Sequence, residues 1–260
     1  MNRLVIQHPQ LGDSAIIAFA GLIGRDASLR TPALAEWQEV DLARETVTAL
    51  AEAQQVDAAL MPAGARLTDY RLIVFDMDST LITIECIDEI ADYAGRKAEV
   101  AAITEAAMRG EITDFNESLR RRVALLAGLS EDVLQRVYDE RLRLSPGVEP
   151  LLAGAHATGL KVLLVSGGFE FFTSRLRTRL NLDFTRSNTL GIHDGKLTGQ
   201  VLGEIVNADV KRRIVEETCA QLGCSPQQAI VVGDGANDLK MMGIAGLSVA
   251  YRAKPIVRAQ

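Results

Sequence analysis

Cysteine is scarce in this chain, three residues among 260. Cys86, Cys219 and Cys224 are odd in number and match neither a zinc-ligand nor a C-x-x-C spacing. They read as reduced, mostly structural thiols of a cytoplasmic protein. Long apolar runs are missing too: none approaches the ~20 residues that a membrane-spanning helix needs. No basic region followed by an apolar core and a small-residue cleavage site opens the chain, which again leaves the cytoplasm as the expected location. Positive charge is in deficit, with a net charge of −6. That argues against a nucleic-acid-binding surface and against attraction to an anionic membrane. An anionic substrate would have to be met locally, by particular residues or by a metal.

What is present is ordinary for a globular protein, 48% hydrophobic and 24% charged, and the length suits one large domain or two smaller ones. Residues 1 to 66 read as a small separate α/β domain. Its strands are expected at Leu4–His8, Trp37–Leu42 and Val56–Met61 and its helices at Ser14–Leu22 and Glu45–Gln54, with Pro62-Ala-Gly-Ala as a hinge. It carries no catalytic constellation, and the lone His8 reads as surface or structural. Such a unit suits a regulatory or dimerisation role, so a homodimer is an expected assembly. Residues 67 to 260 form the second domain.

There, Leu72–Phe75 is a continuous apolar run, as a strand buried on both faces of a parallel sheet requires. It ends in Asp76-Met-Asp-Ser-Thr80. Alone, this D-x-D stretch reads as a polar turn. Two further buried strands, Lys161–Val165 and Ala229–Val232, also end in polar clusters, Ser166-Gly-Gly168 and Gly233-Asp-Gly-Ala-Asn-Asp238. Parallel strands bring such clusters to one sheet edge, where ligands of α/β proteins bind. Between about 84 and 144 the pattern is helical instead, with helices expected at Glu85–Ala94, Arg96–Met108, Asp114–Leu126 and Ser130–Arg141. That is too long for an ordinary crossover and reads as an inserted four-helix cap. The expected fold class is therefore α/β, a parallel-sheet core with this insertion.

Asp76, Asp78, Asp234 and Asp238 gathered at one edge call for a hard divalent cation such as Mg²⁺. Ser166, Gly167 and Gly168 offer a hydroxyl and backbone N–H groups that a phosphate can approach closely, and Lys211 adds a compact positive charge. Together they suggest phosphoryl transfer. A carboxylate with a pKa of ~3.9 is ionised at neutral pH, so Asp76 can attack phosphorus without a base, and Asp78 can protonate the leaving alkoxide and then deprotonate water.

These three strand-end motifs and Lys211 resemble the four motifs of the haloacid dehalogenase superfamily. Glu85 in Ile-Glu-Cys-Ile-Asp, Ala107-Met-Arg-Gly-Glu and Phe115-Asn-Glu-Ser-Leu-Arg-Arg-Arg-Val123 are similar to the cap of its phosphoserine-hydrolysing branch. The resemblance implies a Rossmann-like core and an aspartyl-phosphate mechanism. Mg²⁺ would be held by the Asp76 and Asp234 carboxylates and the Asp78 carbonyl. Phosphoserine is the implied small-molecule substrate, with another small phosphomonoester such as phosphohomoserine, or phosphoryl transfer to an alcohol, as alternatives. Arg122 would meet the substrate carboxylate. Helical spacing to Leu119 and Leu126 gives it an inward face, whereas Arg120 and Arg121 point to solvent. Glu85 would pair with the ammonium. Met108 and Phe115 would form an apolar wall, although either is equally readable as cap core. Asn237 would orient the phosphate or a water, and Asp238 the lysine or a metal-bound water. The resemblance also implies a further short strand and helix beyond Gln260. A reading from another class, an amino-acid-sensing module with an inert catalytic domain, is disfavoured by the intact Asp76, Asp78, Ser166, Lys211 and Asp234.

Overall fold

The computed structural model describes residues 1–108 and 111–260, with the backbone alone at 107 and 108. The chain divides into two compact units, Met1–Arg66 and Leu67–Gln260.

The first unit runs β1 (Asn2–Gln7), α1 (Asp13–Ile23), β2 (Leu29–Arg30), β3 (Leu34–Val40), α2 (Arg44–Gln54) and β4 (Asp57–Pro62). Its antiparallel sheet has the order β2-β3-β1-β4, the ferredoxin-like arrangement of a βαββαβ unit. Leu4, Ile6, Phe19 and Trp37 are buried completely and form its core. The sequence pattern misses β2 and starts β3 three residues late. Leu29 and Arg30 are both exposed, so no alternation marks that edge strand.

The second unit is built on the six-stranded sheet β10-β9-β5-β6-β7-β8. Its strands are β5 (Leu72–Phe75), β6 (Lys161–Phe169), β7 (Phe184–His193), β8 (Lys196–Leu202), β9 (Ala229–Gly233) and β10 (Leu247–Ala250). All neighbours are parallel except β7 and β8, which form a hairpin. The apolar runs arise because both sheet faces are covered. Ile73 and Phe75 of β5, Val162 and Leu164 of β6, and Ile230 and Val232 of β9 enter one core. Leu72 and Val74, Leu163 and Val165, and Ala229 and Val231 enter the other. Burying each such Val, Leu or Ile contributes about 1.5–3 kcal/mol.

The cap inserted after β5 comprises α3 (Cys86–Tyr93), α4 (Lys97–Met108), α5 (Phe115–Ala124) and α6 (Asp132–Arg136), the last continuing as a wide turn through Val137–Arg141. Its two connecting segments are tied to each other: the Thr83 N–H donates to the Arg143 carbonyl at 2.9 Å, and the Ser145 N–H to the Leu81 carbonyl at 3.0 Å. Its far end is tied to the hairpin, Gly128 N–H donating to the Leu197 carbonyl at 2.8 Å. The chain then continues through α7 (Val148–Ala157), α8 (Glu170–Leu180) after β6, α9 (Ala208–Gln221) after β8, α10 (Leu239–Met242) and α11 (Pro255–Ala259). Among the described residues no helix is long and apolar enough to cross a membrane.

Candidate active site

The ends of β5, β6 and β9 and the start of α9 meet at one point. Asp76 extends β5 by one more ladder bond, its N–H donating to the Val232 carbonyl at 3.0 Å. The backbone then makes a wide turn, in which Leu81 N–H reaches back to the Asp76 carbonyl at 3.2 Å. Ser79 takes the left-handed conformation there, φ 56°, a cost that an ordinary L-residue accepts only where its surroundings impose it. Met77 points into the core and is fully buried.

Lys211, one turn into α9, is fully buried between two carboxylates. Its Nζ donates to Asp76 Oδ1 at 2.7 Å and to Asp238 Oδ1 at 2.8 Å. Burial alone would lower its pKa, but Asp76 and Asp238 outweigh that and hold it above the ordinary lysine range. Asp238 uses its second oxygen to accept from the N–H groups of Asp234 and Gly235, at 3.1 Å each. It therefore fixes both the lysine and the loop that carries Asp234. Asp234 Oδ1 accepts from Thr80 Oγ at 2.9 Å.

The Asp76, Asp234 and Asp238 carboxylates offer oxygens within 4.8 Å of one another, and all three are buried. Burial pushes the Asp76 carboxyl well above the usual range, with Lys211 pulling the other way, and it raises Asp234 as well. Three buried carboxylates against one ammonium leave an excess of negative charge. A hard cation with oxygen ligands fits that donor set. Asp238 has both oxygens engaged, so Asp76 and Asp234 are the better placed to serve as ligands.

The Asp78 carboxylate, expected to move protons while its backbone carbonyl serves the cation, lies apart from that group of three. Its Oδ1 accepts from the Cys86 N–H at 2.9 Å, at the N-terminus of α3, and its Oδ2 faces the turn at Gly168. A Cβ on Gly168 would lie 2.6 Å from Met77 Cε, 2.7 Å from that oxygen and 3.0 Å from Ser166 Oγ, so any larger residue would displace the Asp78 and Met77 side chains. Burial, then the charge of Glu85, push the Asp78 carboxyl up to about 7. Fully buried Ser166 accepts from the Gly168 N–H at 2.8 Å.

Of the cap residues, Phe115 reaches the core: a Cβ on Gly167 would lie 3.4 Å from its Cζ. Glu85 is half-buried and accepts from Ser79 Oγ at 2.7 Å, and burial raises its pKa. Arg122 is half-buried while Arg120 and Arg121 are exposed. Burial lowers the Arg122 pKa, opposed by the charges of Asp88, Glu85 and Asp78. Asn237 is half-buried beside Gly235. The Met108 side chain lies outside the described residues.

Sequence reasoning assigned no part to Asn188, which is buried at 1% exposure. Its Nδ2 donates to the Gly167 carbonyl at 2.7 Å and its Oδ1 accepts from the Val206 N–H at 2.8 Å. Thr80 and Ser79, quoted only as part of the first motif, hold Asp234 and Glu85 respectively. An Asn within an otherwise strand-like run was the only available signal for Asn188.

A family profile described as haloacid dehalogenase-like hydrolase matches residues 70–246. Phosphoserine phosphatase of Polaromonas sp. (strain JS666) is 63% identical over 199 residues, which are 75% of this chain and 84% of that protein. The crystal structure of a HAD family hydrolase from Salmonella enterica serovar Typhi superposes with a TM-score of 0.88 at 34% identity, covering 99% of this chain and 91% of the other. That of a probable phosphoserine phosphatase from Vibrio cholerae gives 0.83 at 42% identity, covering 99% and 80%.

Proposed function

The chain belongs to the haloacid dehalogenase-like hydrolases, and from that premise we propose that it hydrolyses O-phospho-L-serine to L-serine and phosphate through an aspartyl-phosphate on Asp76. The carrying observation is the pairing of Asp76 with buried Lys211 at 2.7 Å, beside Asp78 and within the same cluster as Glu85 and Arg122. It joins a phosphoryl-transfer centre to one carboxylate and one guanidinium, the complements of a substrate's ammonium and carboxylate. The 63% identity to the Polaromonas phosphoserine phosphatase supports the choice of substrate.

In this mechanism Asp76 attacks phosphorus, forming a new O–P bond as the ester P–O bond breaks. Protonated Asp78 gives its proton to the serine alkoxide, which leaves as the alcohol. Asp78, now a carboxylate, takes a proton from water as that water attacks the phosphorus of the acyl phosphate. Asp76 is released and phosphate departs. An Asp78 pKa of about 7 suits both halves of this cycle, since neither protonation state is scarce near neutrality. Lys211 offsets charge on the phosphoryl oxygens, and Ser166 with the Gly167–Gly168 backbone and Asn237 position them. Arg122 binds the substrate carboxylate, Glu85 its ammonium, and Met108 and Phe115 close the apolar side. We assign the cation as Mg²⁺, held by Asp76, Asp234 and the Asp78 carbonyl. When bound, it supplies the second positive charge that keeps Asp76 ionised and neutralises the phosphoryl group. A cytoplasmic setting suits the three free thiols, and for residues 1–66 we propose a regulatory or dimerising role.

The test compares phosphoserine, phosphothreonine and p-nitrophenyl phosphate. Phosphoserine should be preferred over p-nitrophenyl phosphate by at least about tenfold in kcat/KM, as a charged contact worth roughly 1.5–3 kcal/mol implies, and over phosphothreonine, which keeps both charges, by about tenfold through crowding of its extra methyl. Equal turnover of all three would exclude this substrate assignment.

A further inference from the structure

We propose that Asn116 and Asn207 are a pair of positioning residues that seat the substrate-facing start of cap helix α5 on the helix that carries Lys211. The idea rests on the reading above, in which Phe115 bounds the pocket and Lys211 binds the phosphoryl group.

The geometry is specific about which atom does what. Asn207 is the N-cap of α9, and its Oδ1 accepts from the N–H groups of Asp209 and Val210 at 3.1 Å each. Only an oxygen can do that, so capping fixes the amide orientation and leaves Nδ2 facing outward. That Nδ2 donates to Asn116 Oδ1 at 3.2 Å. Each asparagine is held at its own helix as well. The Asn116 N–H donates to the N-cap Asp114 Oδ1 at 2.8 Å, and the Lys211 N–H donates to the Asn207 carbonyl at 2.8 Å.

The pair closes a circuit around the phosphate loop. Phe115, next to Asn116, packs on Gly167. The Gly167 carbonyl is bound by Asn188, and Asn188 binds the N–H of Val206, the neighbour of Asn207. The start of α5 thus meets the β6 turn on one side and the start of α9 on the other. Both asparagines are only half-buried, so the bond can be broken without opening a hole in the core. Its place between pocket wall and lysine helix gives it a part in seating the cap over the substrate.

The substitutions separate capping from bridging. Asn116→Ala leaves both caps intact and removes the bridge. Asn207→Ser keeps a cap oxygen but is too short to reach α5. Asn207→Asp keeps the cap and accepts a bond from a turned Asn116 amide. In the full-length protein, Asn116→Ala and Asn207→Ser should each lower kcat/KM for phosphoserine roughly tenfold, mostly through KM. Turnover of p-nitrophenyl phosphate, which has no amino-acid part to enclose, should change less than about twofold. Asn207→Asp should stay within about twofold of wild type, and the double variant should be no worse than either single one. Melting temperatures should be unchanged. Trypsin cleavage at Arg120 and Arg121 of α5, read without substrate, should quicken severalfold in Asn116→Ala and Asn207→Ser only. Additive losses, a fall in melting temperature that accounts for the loss, or unchanged cleavage would overturn the proposal. Absence of any phosphoserine preference in the wild type would instead overturn the substrate assignment, with the cleavage assay still deciding this one.

Discussion

At the sheet edge Lys211, Asp238 and Ser166 are all at 0% exposure, and each is held by hydrogen bonds to its neighbours. In the cap, Arg122 and Glu85 are half-buried, and the bonds that hold them are to near neighbours in sequence, Ser118 at 3.4 Å and Ser79 at 2.7 Å. The difference follows from what each region has to do. Charges that meet the phosphoryl group must keep their geometry through a change of bonding, which favours a buried, pre-organised arrangement. Groups that recognise the rest of a substrate must admit and release it, which favours side chains with room to move. Removing a group from the first region should damage stability and chemistry together, and from the second only affinity.

The largest expected effect comes from Lys211→Met, a change of similar shape that deletes the charge. It leaves Asp76 and Asp238 buried against one another. Losing one partner of a buried ion pair costs about 3–5 kcal/mol, so the variant should melt at a clearly lower temperature in metal-free buffer. Turnover should fall by a factor on the order of a thousand, as for loss of a pre-organised charge donor. Circular dichroism melts and a phosphate-release assay read the two together. A variant that melts like wild type would remove the contrast between the regions.

The same contrast explains what was legible in the sequence. The four-residue run Leu72–Phe75 could be read as a doubly covered strand because its residues alternate between two cores, and burial on both faces leaves a composition signal. The parallel sheet and the polar strand ends follow from three such runs, and the helical period of 84–144 gave the cap. The supporting bonds leave no such trace. Thr80 and Asp234 are 154 positions apart, and Asn188 and Gly167 are 21 apart. No local pattern records a bond that only the finished fold brings together. Spacing alone puts Asp78 beside Asp76; its separate part as acid and base follows from the chemistry of the reaction, and in the fold its carboxylate is bound at the α3 N-terminus, outside the group of three. In the first unit, two-residue β2 was lost because neither of its residues is buried.

A smaller effect is expected in the cap. Arg122→Ala removes the proposed carboxylate contact without emptying a packed site. A charged hydrogen bond is worth about 1.5–3 kcal/mol, so KM for phosphoserine should rise roughly ten- to 150-fold. Values for kcat, and turnover of p-nitrophenyl phosphate, should stay within about twofold. A matching fall in kcat would mean that Arg122 also aligns the phosphoryl group, and the division between rigid chemistry and adaptable recognition would be less sharp.

The smallest effect tests the one place where the two regions touch electrically. Burial is the larger cause of the raised Asp78 pKa and the negative charge of Glu85 the next. Glu85→Gln keeps the shape and an acceptor for Ser79 Oγ but removes the charge. The protonated form of Asp78 is then less favoured, so its pKa moves down from about 7. In the proposed cycle Asp78 acts first as an acid, so the alkaline limb of kcat, where that proton is lost, should shift to lower pH. The shift should be a fraction of a unit, since burial still dominates. KM for phosphoserine should rise at the same time through loss of the ammonium partner. A pH–rate profile of kcat on a simple alkyl phosphate such as ethyl phosphate isolates the first effect from the second, because that substrate carries no ammonium yet still leaves as an alkoxide that needs the Asp78 proton. An alkaline limb that does not move would mean that the cap residue recognises substrate without tuning the acid at the sheet edge.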